Sequence, residues 1–206
     1  MYRAYCALNM LSARFRPLAS GFIIPVARIV ARSGIPPNGL TILGLVSALL
    51  ACLAFYLGNL PGALLFIVLM GLLDVLDGAV ARELDAVTDF GGFFDSVLDR
   101  YADGAVLLGM GLYLRGYYPL VIVTLIGFFM VSYTRARAEN IMDGKCDVGL
   151  AERAERLIII MAAVVLEMWG GLETGTALVY SLYILALLSH FTALQRIIYT
   201  QRIVRS

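Results

Sequence analysis

Leu72-Leu73-Asp74-Val75-Leu76-Asp77-Gly78-Ala79-Val80-Ala81-Arg82 is followed, after a short link, by Asp89-Phe90-Gly91-Gly92-Phe93-Phe94-Asp95-Ser96-Val97-Leu98-Asp99-Arg100-Tyr101-Ala102-Asp103. These two stretches decide the fold. Asp74 and Asp77 are three apart and share one face of a helix, whereas Asp95, Asp99 and Asp103 repeat every four and form one acidic stripe. The link Glu83–Thr88 is short, so the two helices are predicted to be antiparallel neighbours. Asp74 and Asp77 then face Asp95 and Asp99.

The surroundings of the acids are apolar. No charged side chain occurs from Ser33 to Leu73, a run of roughly 60 Å as helix, or about two crossings of a ~30 Å hydrocarbon core. Gly58-Asn59-Leu60-Pro61 marks a turn near its middle. Further apolar stretches lie at Gly104–Leu114, Tyr117–Thr134, Leu157–Gly171 and Thr174–Gln195. Hydrophobic residues make up 61% and charged residues 15% of the 206, below the roughly 25% charge of a soluble domain. The expected fold is an all-α integral membrane protein with six transmembrane helices, at about 37–58, 61–83, 88–114, 117–142, 150–170 and 174–200. The chain reads as one membrane domain, 1–206, with a cytosolic or interfacial segment 1–35 and a six-helix bundle 36–203.

Arginines set the orientation. Arg3, Arg14, Arg16, Arg28 and Arg32 precede the first span, and Arg82 ends the second. Arg135, Arg137, Lys145, Arg153 and Arg156 flank the fourth-to-fifth loop, and Arg196, Arg202 and Arg205 close the chain. Only Arg115 falls in a loop on the opposite side, so both termini and the acidic cluster are expected in the cytoplasm of a plasma-membrane protein. Residues 18–33 mix arginine with Phe22, Ile23, Ile24, Val26, Ile29 and Val30 and are predicted to form an interfacial amphipathic helix. Arginines on both sides of that apolar patch do not suit a cleavable signal. The three cysteines show no metal spacing, and no disulfide is expected. A net charge of +1 provides no field for nucleic acid.

Four bare carboxylates at membrane depth repel one another and pay a large desolvation cost. Protonation or bound cations relieve this, and Arg82 and Arg100 are the cationic side chains at hand, enough for two acids at most. Hard divalent ions such as Mg²⁺ or Mn²⁺ take oxygen ligands, and a pair of them stabilises the attacking and leaving oxygens of a phosphoryl displacement.

The run Asp74-x2-Asp77-Gly78-x2-Ala81-Arg82-x8-Gly91-x3-Asp95-x3-Asp99 resembles the signature of the CDP-alcohol phosphotransferases at every fixed position. The resemblance implies transfer of a phosphatidyl-type group from a CDP-lipid to an acceptor hydroxyl, with CMP leaving. It implies that Asp74, Asp77, Asp95 and Asp99 hold divalent metal, and that Asp99 is the base for the acceptor proton. Asp77, Gly78, Ala81 and Arg82 would meet the nucleotide. Asn38 and Thr41, in a segment resembling the family's entry to its first span, would join them, although Asn38 also suits a helix cap. Asp103, outside the signature, is expected either to support the metal-binding acids from behind or to face the acceptor. A homodimer is implied as well.

Two stretches resemble the family's inositol-phosphate branch. These are Ser132-Tyr133-Thr134-Arg135-Ala136-Arg137-Ala138-Glu139, with Arg135 where Lys is common, and Glu152-Arg153-Ala154-Glu155-Arg156-Leu157, with Ala154 replacing Pro. Gln195-Arg196 resembles the branch's C-terminal arginine. Ser132, Arg135, Arg153, Arg156 and Arg196 would then bind the phosphate of the acceptor, as a guanidinium cup suits. Arg135 and Arg137 cannot share a helical face, and the resemblance selects Arg135. The lipid is diacylglycerol or an archaeal diether. Glycerol phosphate and serine are the alternative acceptors. A membrane prenyltransferase using Asp95-x3-Asp99-x3-Asp103 and a cation-coupled transporter are the readings from other classes.

Overall fold

The computed structural model describes residues 23–142, 144, 146, 148–170 and 173–205. Six helices follow one another: α1 Pro37–Tyr56, α2 Leu60–Glu83, α3 Asp89–Leu114, α4 Tyr118–Met142, α5 Arg153–Met168 and α6 Thr176–Arg205. Residues 23–32 add a helical arm before α1, and no strand occurs among the described residues.

Local chemistry explains the boundaries. Gly58 takes a φ of +71° after α1, and the Asn59 side chain accepts from Gly62 N at 3.0 Å to start α2. Thr88 caps α3 in the same way through Gly91 N at 3.0 Å. Asn38 is not a cap, contrary to one sequence-based expectation. Pro36 holds that position with extended backbone, and Pro37 opens the helix where its missing N–H costs nothing. The helix α6 runs past residue 200 to Arg205 because neither Gly nor Pro follows Gly175.

Helices α1, α2, α4 and α6 are long and apolar enough to cross a membrane. The other two differ from that pattern for separate reasons. Acids and Arg100 fill the first half of α3. The 16 residues of α5 span about 24 Å, so the predicted fifth span is shortened at both ends. At its start, Gly149 adopts φ +147°, and the N–H groups of Leu150 and Ala151 donate to Thr192 Oγ1 at 3.2 and 3.1 Å. At its end, Gly170 turns the chain with φ +72°. The Glu167 carboxylate then accepts from Gly175 N and Ala177 N, satisfying N–H groups at the start of α6.

The packing differs from the expected α2–α3 pair. Both helices lie along α1 rather than along each other; α4 packs on α6, and α5 bridges α2 and α6. Closing two carboxylate-bearing faces against each other would strip water from every acid, whereas α1 presents small buried residues, Gly44, Ser47, Ala48 and Ala51. A cleft between α2 and α3 is the result. The arm buries Ala27 against Leu40, Ala79 and Val80, and Arg28 Nε pairs with Glu83 Oε1 at 3.0 Å. Its other face exposes Ile24, Val26 and Ile29. Residues 18–22 of the predicted interfacial helix lie outside the described residues.

The tightest seam is between α1 and α3, where a Cβ on Gly109 would stand 2.7 Å from Cys52 Cα and 3.2 Å from its carbonyl oxygen. Backbone cannot rotate away, so Gly109→Ala is expected to cost about 1–3 kcal/mol. Gly92, with nothing within 4 Å of such a Cβ, should tolerate alanine or gain up to ~1 kcal/mol. Thermal midpoints of the two variants in detergent check the contrast.

Candidate active site

The cleft between α2 and α3 collects the acids. One carboxylate oxygen each from Asp74, Asp95 and Asp99 lies within 4.8 Å of the others. Helical spacing puts Asp95 and Asp99 one turn apart on α3, and Asp74 meets them from α2. Asp77, 7% exposed, lines the same cleft. Thr41 Oγ1 donates to its Oδ2 at 2.7 Å, which ties α1 to the acidic face of α2. Asp95 Oδ1 is buried without a hydrogen-bond partner, an arrangement that costs free energy unless a ligand fills it. An all-oxygen donor set converging with an orphaned carboxylate oxygen fits a hard divalent cation.

The nucleotide residues follow on from these acids. Gly78 lies one turn before Arg82, and a Cβ there would stand 3.4 Å from Arg82 Nη1, so the guanidinium folds back over the glycine. Arg82 is exposed and Ala81 half-buried at the end of α2. Gly91 brings the start of α3 against Thr88 and Asn38: an added Cβ would meet Thr88 Oγ1 at 3.1 Å and Asn38 Oδ1 at 3.6 Å.

Beside the cleft is a second cavity of about 400 Å³, lined by Ser132, Arg135, Arg153, Arg156 and Arg196 together with Asp99, Asp103, Glu139 and Glu152. All five residues predicted to hold the acceptor's phosphate therefore line one cavity. Arg137 instead lines an apolar groove between α4 and α6. Asp99 and Arg153 border both the cleft and the cavity.

The guanidinium groups are held in different ways. Arg135 Nε donates to Glu139 Oε1 at 3.1 Å. Arg156, 3% exposed, stacks its guanidinium 4.1 Å over the Phe128 ring and donates to Asp103 Oδ2 at 3.2 Å. Arg196, 1% exposed, donates to the Val131 and Val148 carbonyls. It therefore fastens the α4–α5 connection as well as lining the cavity.

The contact that the spacing did not reveal is made by Arg153. Its Nη1 lies 2.5 Å from Asp74 Oδ1 and 2.6 Å from Asp99 Oδ1, and its Nε lies 3.4 Å from Asp103 Oδ1. The expectation that Arg82 and Arg100 are the cations at hand is corrected accordingly. Arg100 turns back to Ser96 O, with its Nη1 3.7 Å from Asp99 Oδ2, and Arg82 is exposed and folded over Gly78. The partner comes from α5, 79 residues from Asp74. Asp103 lines the cavity and receives both Arg153 and Arg156. The signals were present in the acidic stripe continuing to Asp103 and in the three-residue spacing of the two arginines.

Comparison with known proteins places these features in a family. The model of the CDP-alcohol phosphatidyltransferases matches residues 35–200. The chain is 39% identical over 188 residues to the archaetidylinositol phosphate synthase of Pyrococcus horikoshii, covering 91% of this chain and 95% of that one. It is 33% identical over 203 residues to the phosphatidylinositol phosphate synthase of Streptomyces avermitilis, covering 94% and 83%. The crystal structure of Mycobacterium tuberculosis phosphatidylinositol phosphate synthase with CDP-DAG bound superposes with a TM-score of 0.75 at 34% identity, covering 87% and 93%. That enzyme's complex with manganese and citrate gives 0.77 at 33% identity, covering 87% and 89%.

Removing Asp103 strands Arg156 among buried groups. Asp103→Ala is expected to lower stability by about 3–5 kcal/mol, as for one partner of a buried pair, read as a fall in the thermal midpoint. Arg28→Ala, at an exposed pair, should shift it little.

Proposed function

The chain belongs to the CDP-alcohol phosphatidyltransferase family, and we propose that within it this protein transfers a phosphatidyl-type group from a CDP-lipid to a hydroxyl of inositol phosphate, releasing CMP. The observation that carries the reading is the sharing of Asp99 and Arg153 between the acidic cleft and the arginine-lined cavity. A phosphorylated acceptor seated among Arg135, Arg156 and Arg196 would present a hydroxyl to Asp99. The named relatives, inositol phosphate lipid synthases of both archaeal and bacterial type, support the same acceptor. Membership in the family removes prenyl transfer and cation transport as competing readings.

In the proposed mechanism, Asp77, Gly78, Ala81 and Arg82 seat the cytidine nucleotide at the end of α2, with Asn38 and Thr41 on the neighbouring wall. Asp74, Asp77, Asp95 and Asp99 would hold divalent metal, Mg²⁺ or Mn²⁺ and two ions in our reading, which supplies charge neutralisation on the transferred phosphoryl. Asp99 takes the proton of the acceptor hydroxyl. The acceptor oxygen bonds to the lipid-linked phosphorus, and the bond from that phosphorus to the CMP oxygen breaks. The arginines orient the acceptor so that the reacting oxygen stays in line, which is where much of the rate gain of such a transfer arises. The reading has six spans with both termini and the site on the cytoplasmic side, the arm at the membrane interface, membrane lipids around it, and a homodimer as the working form. The basic ends of α4, α5 and α6 support that orientation.

The experiment is CMP release from a CDP-diradylglycerol with Mg²⁺ or Mn²⁺, comparing inositol phosphate, glycerol phosphate, serine and free inositol. Turnover is expected with inositol phosphate and should fall about 10²–10⁴-fold in Asp99→Asn. Arg135→Gln should raise the KM for inositol phosphate more than it lowers kcat. Turnover with serine or free inositol alone would overturn the acceptor.

A further inference from the structure

Arg153 is placed unlike the other arginines of the cavity. Its guanidinium stands at the boundary between cleft and cavity, with Nη1 on Asp74 Oδ1 at 2.5 Å and on Asp99 Oδ1 at 2.6 Å. Asp74 and Asp99 are two of the three acids whose oxygens converge within 4.8 Å. A divalent cation bound by those carboxylates draws on the same oxygens and repels the guanidinium beside them. Both positive groups cannot occupy that side of the cleft at full strength.

The structure also provides the place to which Arg153 can turn. Its Nε faces Asp103 Oδ1 at 3.4 Å, and Asp103, 6% exposed, is fixed in turn by Arg156. Beyond Asp103 is the roughly 400 Å³ cavity, which Arg153 already lines. An arginine side chain has several rotatable bonds and can swing its fork while keeping one donor on a fixed carboxylate.

We infer that Arg153 exchanges between the two sites: it neutralises Asp74 and Asp99 until a divalent cation takes those carboxylates, then turns about Asp103 into the cavity and completes the phosphate-binding set. The exchange rests on the function proposed above for its second half only. Metal loading thereby raises affinity for a phosphate-bearing acceptor, and by linkage the acceptor raises affinity for metal by the same factor. The acids are also kept from standing bare against one another at any stage of the cycle.

The test titrates Mn²⁺ alone, without nucleotide or acceptor, into the full-length protein, with bound ion read by electron paramagnetic resonance. Arg153→Gln removes the competing cation and is expected to bind Mn²⁺ about ten-fold more tightly than the unmodified protein, within the usual range of coupling between sites. Mn²⁺ should also raise the thermal midpoint of Arg153→Gln more than that of the unmodified protein. Arg153→Lys keeps the charge but loses the fork, should tighten Mn²⁺ binding by about three-fold by the same coupling, and carries the test alone if the glutamine variant does not fold. Unchanged or weaker Mn²⁺ binding in the variants overturns the exchange. A second arm titrates inositol phosphate with and without Mn²⁺: its affinity should rise with the metal in the unmodified protein and rise markedly less in Arg153→Gln. Equal enhancement in both overturns the link to the acceptor. Because the first arm holds no acceptor, a wrong acceptor assignment shows in the second arm alone, where glycerol phosphate then replaces inositol phosphate.

Discussion

The bundle depends on one electrostatic constraint: acids from α2 and α3 have to be brought together without being left bare. Asp74, Asp95 and Asp99 converge, and the guanidinium of Arg153 meets two of them while also touching Asp103. Taking one charge out of water is costly, and attraction between charges repays that cost only where geometry and further hydrogen bonds are good. Here the arrangement satisfies most of the acids but leaves Asp95 Oδ1 without a partner. A fold selected for stability alone would have closed this gap with hydrocarbon. Its persistence is the structural mark of a site that works by holding something else.

The rest of the architecture serves that constraint. The acids are carried by α2 and α3, but α1 holds these helices in place, and Thr41 reaches from α1 to Asp77. The cations come from the other half of the bundle. Thr192 and Arg196 of α6 fasten the stretch leading into α5 through backbone groups, and this positions Arg153 and Arg156 at the start of that helix. Packing far from the chemistry therefore decides where the guanidinium groups stand. The cavity and the cleft become neighbours because α5 touches both α2 and α6.

Much of this could be read from sequence where the physics is local. The spacings of Asp74 with Asp77, and of Asp95 with Asp99, report helical faces directly. Gly58-Asn59 and Thr88 act on residues within three or four positions, so the starts of α2 and α3 were readable to about a residue. What escaped depends on distant partners. The late start of α5 goes with Thr192, more than forty residues away, bonding Leu150 and Ala151. The pairing of Arg153 with Asp74 spans 79 residues, and no helical periodicity encodes it. The choice of Pro36 over Asn38 to start α1 turned on two residues of register. The failure of α2 and α3 to pack followed from the same acids that made them recognisable.

The seams of α1 carry one more consequence. Gly44 of α1 lies against Leu73 and Met70 of α2, about 4 Å from where its Cβ would be, and Cys52 lies against Gly109 of α3. Helices α2 and α3 are thus referenced to a third body, and the spacing of their acids follows from how each helix seats on α1. The spacer is an uncharged helix, Pro37 to Tyr56. Bulk added or removed on it alters the distance between Asp74 and Asp95 without touching either. The dimension most critical to the chemistry is inherited from a helix that carries none of the converging acids.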